Sequence, residues 1–162
     1  MGDRTSKGRT AVARQSEREL VVTRVFDAPV RLVFDAWTRP ELFQLWWAPK
    51  SSGVPMLSCE MDVRTGGGYR IAFGRDEANS RAFFGKYLDV SPPSRLVWTN
   101  DESDEEGAVT TVTFEEEDGG KTLLVMRELY PSKEALDQSF VGMEDAAPEQ
   151  FEQLDALLAT LV

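Results

Sequence analysis

The residues from Ala147 to Leu161 constrain this chain most, because they read as a helix with one clean apolar stripe. Ala147, Phe151, Leu154, Leu158 and Leu161 recur at steps of four and three, and Glu149, Gln150, Glu152, Gln153 and Asp155 fall elsewhere. One face must be buried. A helix this short is marginal in water on its own, so the stripe requires an apolar surface built by the rest of the chain. The remaining sequence supplies a sheet.

Leu20 to Phe26 is rich in β-branched residues and reads as a first strand. Asp27-Ala28-Pro29 ends it, with Asp27 placed to cap a short helix whose apolar side is Val30, Val33, Phe34 and Trp37. A second short helical stretch runs from Pro40 to Trp47 and stops at Pro49. From Met56 the period changes to two, with Leu57, Cys59, Met61 and Val63 on one side, and Gly66-Gly67-Gly68 turns the chain back into Tyr69 to Phe73. The glycine triplet is not a phosphate loop by this reading, because a strand rather than a helix follows it. Ala82 to Val90, Leu96 to Thr99, Val109 to Glu115 and Thr122 to Tyr130 are further strands, and Gly85 marks a bulge or bend. Lys133 to Phe140 has helical character, Gly142 is expected to break it, and Pro148 to kink the closing helix near its start. The order predicts an α+β domain over residues 19–162. In it a curved, mostly antiparallel sheet of about six or seven strands wraps on a long C-terminal helix, with two short helices after the first strand.

Residues 1–18 carry Arg4, Lys7, Arg9, Arg14 and Arg18 against Asp3 and Glu17, without an apolar period, and are expected to form a disordered tail. Ala11-Val12-Ala13 is too short for the core of a secretory signal. No apolar run approaches the roughly 20 residues of a membrane span. A net charge of −10 disfavours nucleic acid and anionic bilayers as partners. The single cysteine, Cys59, permits no intrachain disulfide, which fits a cytoplasmic setting. The chain has no histidine, which removes Ser-His and Cys-His nucleophile pairs, histidine zinc sites and imidazole as a general base. No cofactor or metal is expected. Asp101 to Glu106 is an acidic run without the register of a calcium loop.

Thr38-Arg39-Pro40-Glu41 through Trp46-Trp47-Ala48-Pro49, then Asp62-Val63-Arg64-Thr65-Gly66-Gly67, then Gly85-x-Tyr87 leading to Pro92-Pro93-Ser94-Arg95-Leu96-Val97-Trp98-Thr99, carry a resemblance. Over about residues 19 to 162 the chain resembles the bacterial family similar to the C-terminal domain of the activator of heat-shock protein 90 ATPase, within the START-like helix-grip superfamily. The resemblance implies a helix-grip fold with a hydrophobic cavity beneath the terminal helix. It leaves function open, because the superfamily includes lipid carriers, hormone receptors, polyketide cyclases and a co-chaperone domain.

The side chains suited to such a cavity are Trp37, Phe43, Trp46, Trp47, Tyr69, Phe73, Phe84, Trp98, Phe114, Met126, Phe140, Met143 and Phe151; for any single one ordinary core packing is the simpler reading, and it is the aromatic-rich set that suits a cleft. The polar candidates are Glu60, Asp62, Arg64, Tyr69, Arg127 and Glu128. Asp62 and Arg64 can simply pair across their turn, and because Arg127 and Glu128 alternate on a strand only one can face inward. Cys59 reads as a buried small residue rather than a nucleophile. Three readings stand open. The first is binding of a small hydrophobic or aromatic molecule. The second is a co-chaperone-like surface for a heat-shock ATPase, and the third a small carboxylate-dependent cyclase or hydrolase. No residue set asserts catalysis, and a homodimer is an option for so small a domain.

Overall fold

The computed structural model describes residues 4–7 (backbone only), 10–101 and 107–161. Residues 1–3, 8 and 9 of the expected tail, and 102–106 of the acidic run, lie outside the described residues. The elements are β1 (Arg4–Lys7), β2 (Thr10–Arg14), β3 (Glu19–Phe26), α1 (Val30–Thr38), α2 (Pro40–Phe43), β4 (Met56–Met61), β5 (Gly68–Gly74), β6 (Ser80–Ser91), β7 (Arg95–Thr99), β8 (Val109–Glu117), β9 (Lys121–Leu129) and α3 (Lys133–Leu161). The strands form one antiparallel sheet in the order β1-β2-β3-β9-β8-β7-β6-β5-β4. The chain therefore enters near one edge, crosses the sheet through α1 and α2, and returns by hairpins from the far edge until β9 closes against β3. α3 covers the inner face, as the apolar stripe requires.

Three expectations are corrected. The tail assigned to residues 1–18 contains strands: β2 pairs with β3 through Ala11 to Arg14, and Val12 is fully buried. Its apolar signal is only one residue wide because α3 supplies the rest. Arg14 pairs with Asp137, and its guanidinium lies 5.6 Å from the centroid of the Phe140 ring. These additions bring the sheet to nine strands among the described residues. Gly142 does not break the final helix, which runs unbroken for 29 residues. Leu136, Phe140, Ala147, Phe151, Leu154 and Leu158 are buried along one continuous stripe, and that burial outweighs the roughly 1 kcal/mol helical penalty of one glycine. Asp27 does not cap α1; Pro29 occupies the N-cap, with no side-chain hydrogen bond.

Two bulges re-aim side chains. Met56 pairs with Phe73 and Ser58 with Ala72, so Leu57 is the extra residue and is 41% exposed, while Met56 packs on the core in its place. Tyr87 pairs with Trp98 and Asp89 with Val97, which turns Leu88 outward. Gly85 is not at a bulge, although the long strand β6 leaves β5 for β7 beside it. A Cβ there would overlap the Thr99 carbonyl oxygen, so only glycine allows this close approach.

One charged side chain lies in the inner row of β3, between Val22 and Phe26. Arg24 is buried, receives no acceptor for its Nε–H among the described residues, and reaches across the layer to α3. Its Nη1 donates to Thr10 Oγ1 (3.2 Å) and Glu152 Oε1 (2.9 Å), and Nη2 lies 3.4 Å from Asp155 Oδ2. Removing both carboxylates strands a buried cation, whereas removing the cation leaves two solvent-reachable carboxylates. Glu152→Gln with Asp155→Asn is therefore expected to lower stability by about 2 kcal/mol in urea unfolding, and Arg24→Met by clearly less. Equal losses would contradict this account.

Candidate functional site

The register of the sheet builds the site. Glu128 of β9 stands opposite Thr110 of β8, Thr110 opposite Trp98 of β7, and Trp98 opposite Tyr87 of β6. On the next hairpin Met61 stands opposite Tyr69, and Ile71 opposite Phe83. Residues paired across antiparallel strands share a face, so these rows look toward α3 together. The glycine turn helps to aim Tyr87: Gly66 N–H donates to the Tyr87 carbonyl (2.9 Å) and Tyr87 N–H to the Gly67 carbonyl (2.8 Å). Gly66 adopts a φ of 90°, which suits glycine.

Beneath α3 these rows leave a cavity of about 370 Å³. Its floor is the sheet, its roof is Met143, Ala146 and Gln150 of α3, and its side walls are Trp37, Phe43, and the loop carrying Trp47, Pro49, Ser52 and Val54. Of the expected residues, Trp37, Phe43, Trp47, Tyr69, Phe73, Trp98, Met126 and Met143 line it. Five do not. Trp46 is fully buried, with its Nε1–H donating to the Ala36 carbonyl (2.9 Å). Phe114 packs edge-on against Phe34 (5.2 Å), and Phe151 against Phe26 (5.7 Å), both within the core. Phe140 is covered by Arg14 of β2. Phe84 points outward and is 42% exposed, because alternation on β6 gives the inward position to Phe83. Among the residues that sequence reasoning missed, Met61, Ile71, Phe83 and Tyr87 are on these strands. Lys86, on the same face as Phe84, was the available sign of which face is wet.

The polar candidates divide just as clearly. Arg64 Nε donates to Asp62 Oδ2 (2.9 Å) across their exposed turn, and Glu60 is exposed. Arg127 faces out toward Glu19, and Glu128 faces the cavity. Thr110 Oγ1 donates to Glu128 Oε2 (2.9 Å) and Tyr130 Oη to Oε1 (3.0 Å). Tyr69 Oη donates to the Thr99 carbonyl (2.8 Å), and Asn100 Nδ2 to the Ala108 carbonyl (2.8 Å) and Thr110 Oγ1 (3.1 Å). Burial pushes the Cys59 thiol up to about 11, so it stays protonated; its Sγ lies 3.5 Å from Met61 Sδ. Burial first, then Cys59 and Asp62, also raise the Tyr87 phenol, which keeps its proton at neutral pH. Trp37 Nε1–H is buried and finds no acceptor among the described residues. Among these residues no three His, Cys, Asp or Glu side chains come together to hold a metal ion, and no helix is long and apolar enough to cross a membrane. The site is suited to enclosing a small apolar molecule.

The loop wall of the cavity is fixed by side chains of α3. Gln150 Nε2 donates to the Trp47 carbonyl (2.6 Å), and Gln153 Nε2 to the carbonyls of Trp46 (2.8 Å) and Ala48 (2.9 Å). Lys50 N–H donates to Gln153 Oε1 (2.9 Å), and Ser51 N–H to Glu149 Oε2 (2.9 Å). The Ser51 side-chain and backbone donors hold the Glu149 carboxyl below its ordinary value of 4.5. A depressed folded pKa means that this anchor is present above the unfolded value and is lost as pH falls through the folded one. The Ser51 amide resonance is expected to titrate with a midpoint below 4.5, and Glu149→Gln to abolish that step. A midpoint above 4.5 would contradict the hydrogen-bonded anchor.

The family model described as Activator of Hsp90 ATPase homolog 1-like protein matches residues 27–159. A protein from Rhodobacter sphaeroides has a similar structure, with 27% identity, 93% of this chain and 98% of that chain covered, and a TM-score of 0.83. One from Mycobacterium smegmatis gives 25% identity, 93% and 98% coverage, and a TM-score of 0.77. One from Staphylococcus epidermidis, at 24% identity, 92% and 94% coverage and a TM-score of 0.79, shares the fold. No curated protein matches.

Proposed function

The chain belongs to the Activator of Hsp90 ATPase homolog 1-like family, and from that premise we propose that it binds a small hydrophobic or aromatic molecule between the sheet and α3. The observation that carries this reading is the cavity of about 370 Å³ walled by Trp37, Trp47, Trp98, Tyr69, Phe73 and Phe83. Closely packed interiors do not leave such space without cost, and aromatic walls offer large apolar area at little loss of side-chain freedom. The volume lies near the lower end of ligand pockets, which fits a molecule of one to three rings better than a two-chain lipid. Chemistry has less support, since the one thiol is held protonated and the chain offers no histidine to activate a hydroxyl. The family's description speaks of an Hsp90 ATPase activator; most of the acidic run from Asp101 to Glu106 lies outside the described residues.

Native mass spectrometry of protein purified gently from its own host is expected to retain a stoichiometric small-molecule mass. The neighbouring phenylalanines of β6 then separate cavity from surface. With an apolar fluorescent probe, Phe83→Ala is expected to weaken binding about tenfold and Phe84→Ala to leave it unchanged. Equal effects of the two substitutions, or a bare protein that takes up no probe, would contradict the reading.

A further inference from the structure

Glu128 supplies the only carboxyl group among the described residues that line the cavity, and no lysine or arginine lines it with Glu128. The donors around this carboxylate are committed to protein acceptors. Thr110 Oγ1 donates to Glu128 Oε2 and Tyr130 Oη to Oε1. Asn100 Nδ2 donates to the Ala108 carbonyl and to Thr110 Oγ1, and Tyr69 Oη donates to the Thr99 carbonyl. A carboxylate has about four acceptor positions, and these hydroxyls take one on each oxygen. This end of the cavity therefore presents a ligand with negative charge and acceptor oxygens. An anionic group entering here would meet a like charge, lose its hydration and gain no cation.

The surrounding rings favour the opposite sign of charge. Glu128 and Trp98 stand on either side of Thr110 in one row of the sheet, so they are two strand spacings, about 10 Å, apart. Thr110 is short and fully buried beneath them. Tyr69 closes the same end, with its hydroxyl 3.4 Å from Asn100 Oδ1. The face of an aromatic ring carries negative charge density and attracts a cation, most strongly for Trp. Glu128 is only half-buried, so a cationic group beside it keeps part of its water while the apolar body lies deeper, among Ile71, Phe73 and Phe83.

We infer that the cavity selects a compact apolar amine in its protonated form, with the ammonium group held by the Glu128 carboxylate among the rings of Trp98 and Tyr69, and rejects anionic amphiphiles. This rests on the proposed ligand-binding reading and specifies its chemistry. Glu128 is then the specificity residue. Thr110 and Tyr130 are positioning residues, since their hydroxyls hold the carboxylate in place.

The test needs no variant at first. Titration calorimetry on the wild-type chain at neutral pH would compare three probes of nearly equal size: naphthylmethylamine, which is protonated there, ethylnaphthalene, in which carbon replaces the nitrogen, and naphthoate. The amine is expected to bind about tenfold more tightly than the hydrocarbon, and naphthoate more weakly than either. Glu128→Gln, which keeps the shape and removes the charge, is expected to bring the amine's affinity down to that of the hydrocarbon. An amine that binds no more tightly than ethylnaphthalene, a preference for naphthoate, or an advantage of the amine that survives in folded Glu128→Gln would overturn the inference while leaving the cavity a binding site. Binding of none of the three to the wild-type chain, with the fold intact by circular dichroism, would overturn both.

Discussion

The packing of the Trp37 ring is the constraint on which the rest of the structure depends. Its five aromatic neighbours come from the turn after α2, from β7, from β8 and from α3, so one side chain on α1 ties four other segments together. Edge-on aromatic pairs at these distances add about 0.5–1.5 kcal/mol each beyond their buried area. The ring belongs to the solid core on the side of Phe114 and Phe151 and to the cavity on the side of Trp47 and Trp98. Core and cavity therefore share a wall. A ligand that presses on Trp37 acts directly on the joint between helix and sheet.

α3 is what keeps that joint closed, and it does so with polar contacts at two depths. Arg24 reaches from β3 to Glu152 and Asp155, which seats the second half of the helix over the packed end of the sheet. Gln150 and Gln153 take up the carbonyls of the loop from Trp46 to Ala48, which seats the loop against the helix at the open end. The two sets share neighbouring turns of one helix. The apolar stripe lies between them, and its burial supplies most of the adhesion. The polar contacts mainly fix orientation: an amide side chain bonded to two carbonyls holds the loop at one distance from the helix, which sets the width of the cavity.

Much of this was legible in the sequence wherever a pattern was long. The stripe from Ala147 to Leu158, the glycine turn before Tyr69 and the period-two strands each carry several consistent residues, and the fold follows from their order. Short or interrupted patterns misled. Val12 alone could not announce β2, since its strand is completed by the neighbours Arg14 finds on α3. The bulges at Leu57 and Leu88 each insert one residue and so reverse which side chains look inward, and nothing local distinguishes Leu57 from Met56. Phe83 and Phe84 differ by one position, and the choice between them depends on pairing with Ile71. Glu128 could be narrowed to one of two residues on β9, but its bonds to Thr110 and Tyr130 depend on a strand register that only the folded sheet displays. Eight of the expected cavity residues do line it. The other five share their composition but sit in the core, at the β2 contact or on the outer face.

An enterable apolar space lies between the sheet and α3, bounded by Trp37. A crystal structure of the ligand-free protein under xenon pressure tests it most directly, since xenon settles in apolar cavities without requiring a hydrogen bond. Xenon density is expected among Trp37, Met126 and Met143, with α3 and the loop from Trp46 to Ser52 in place. Density absent there, with Trp47 or Met143 folded into the space, would contradict it.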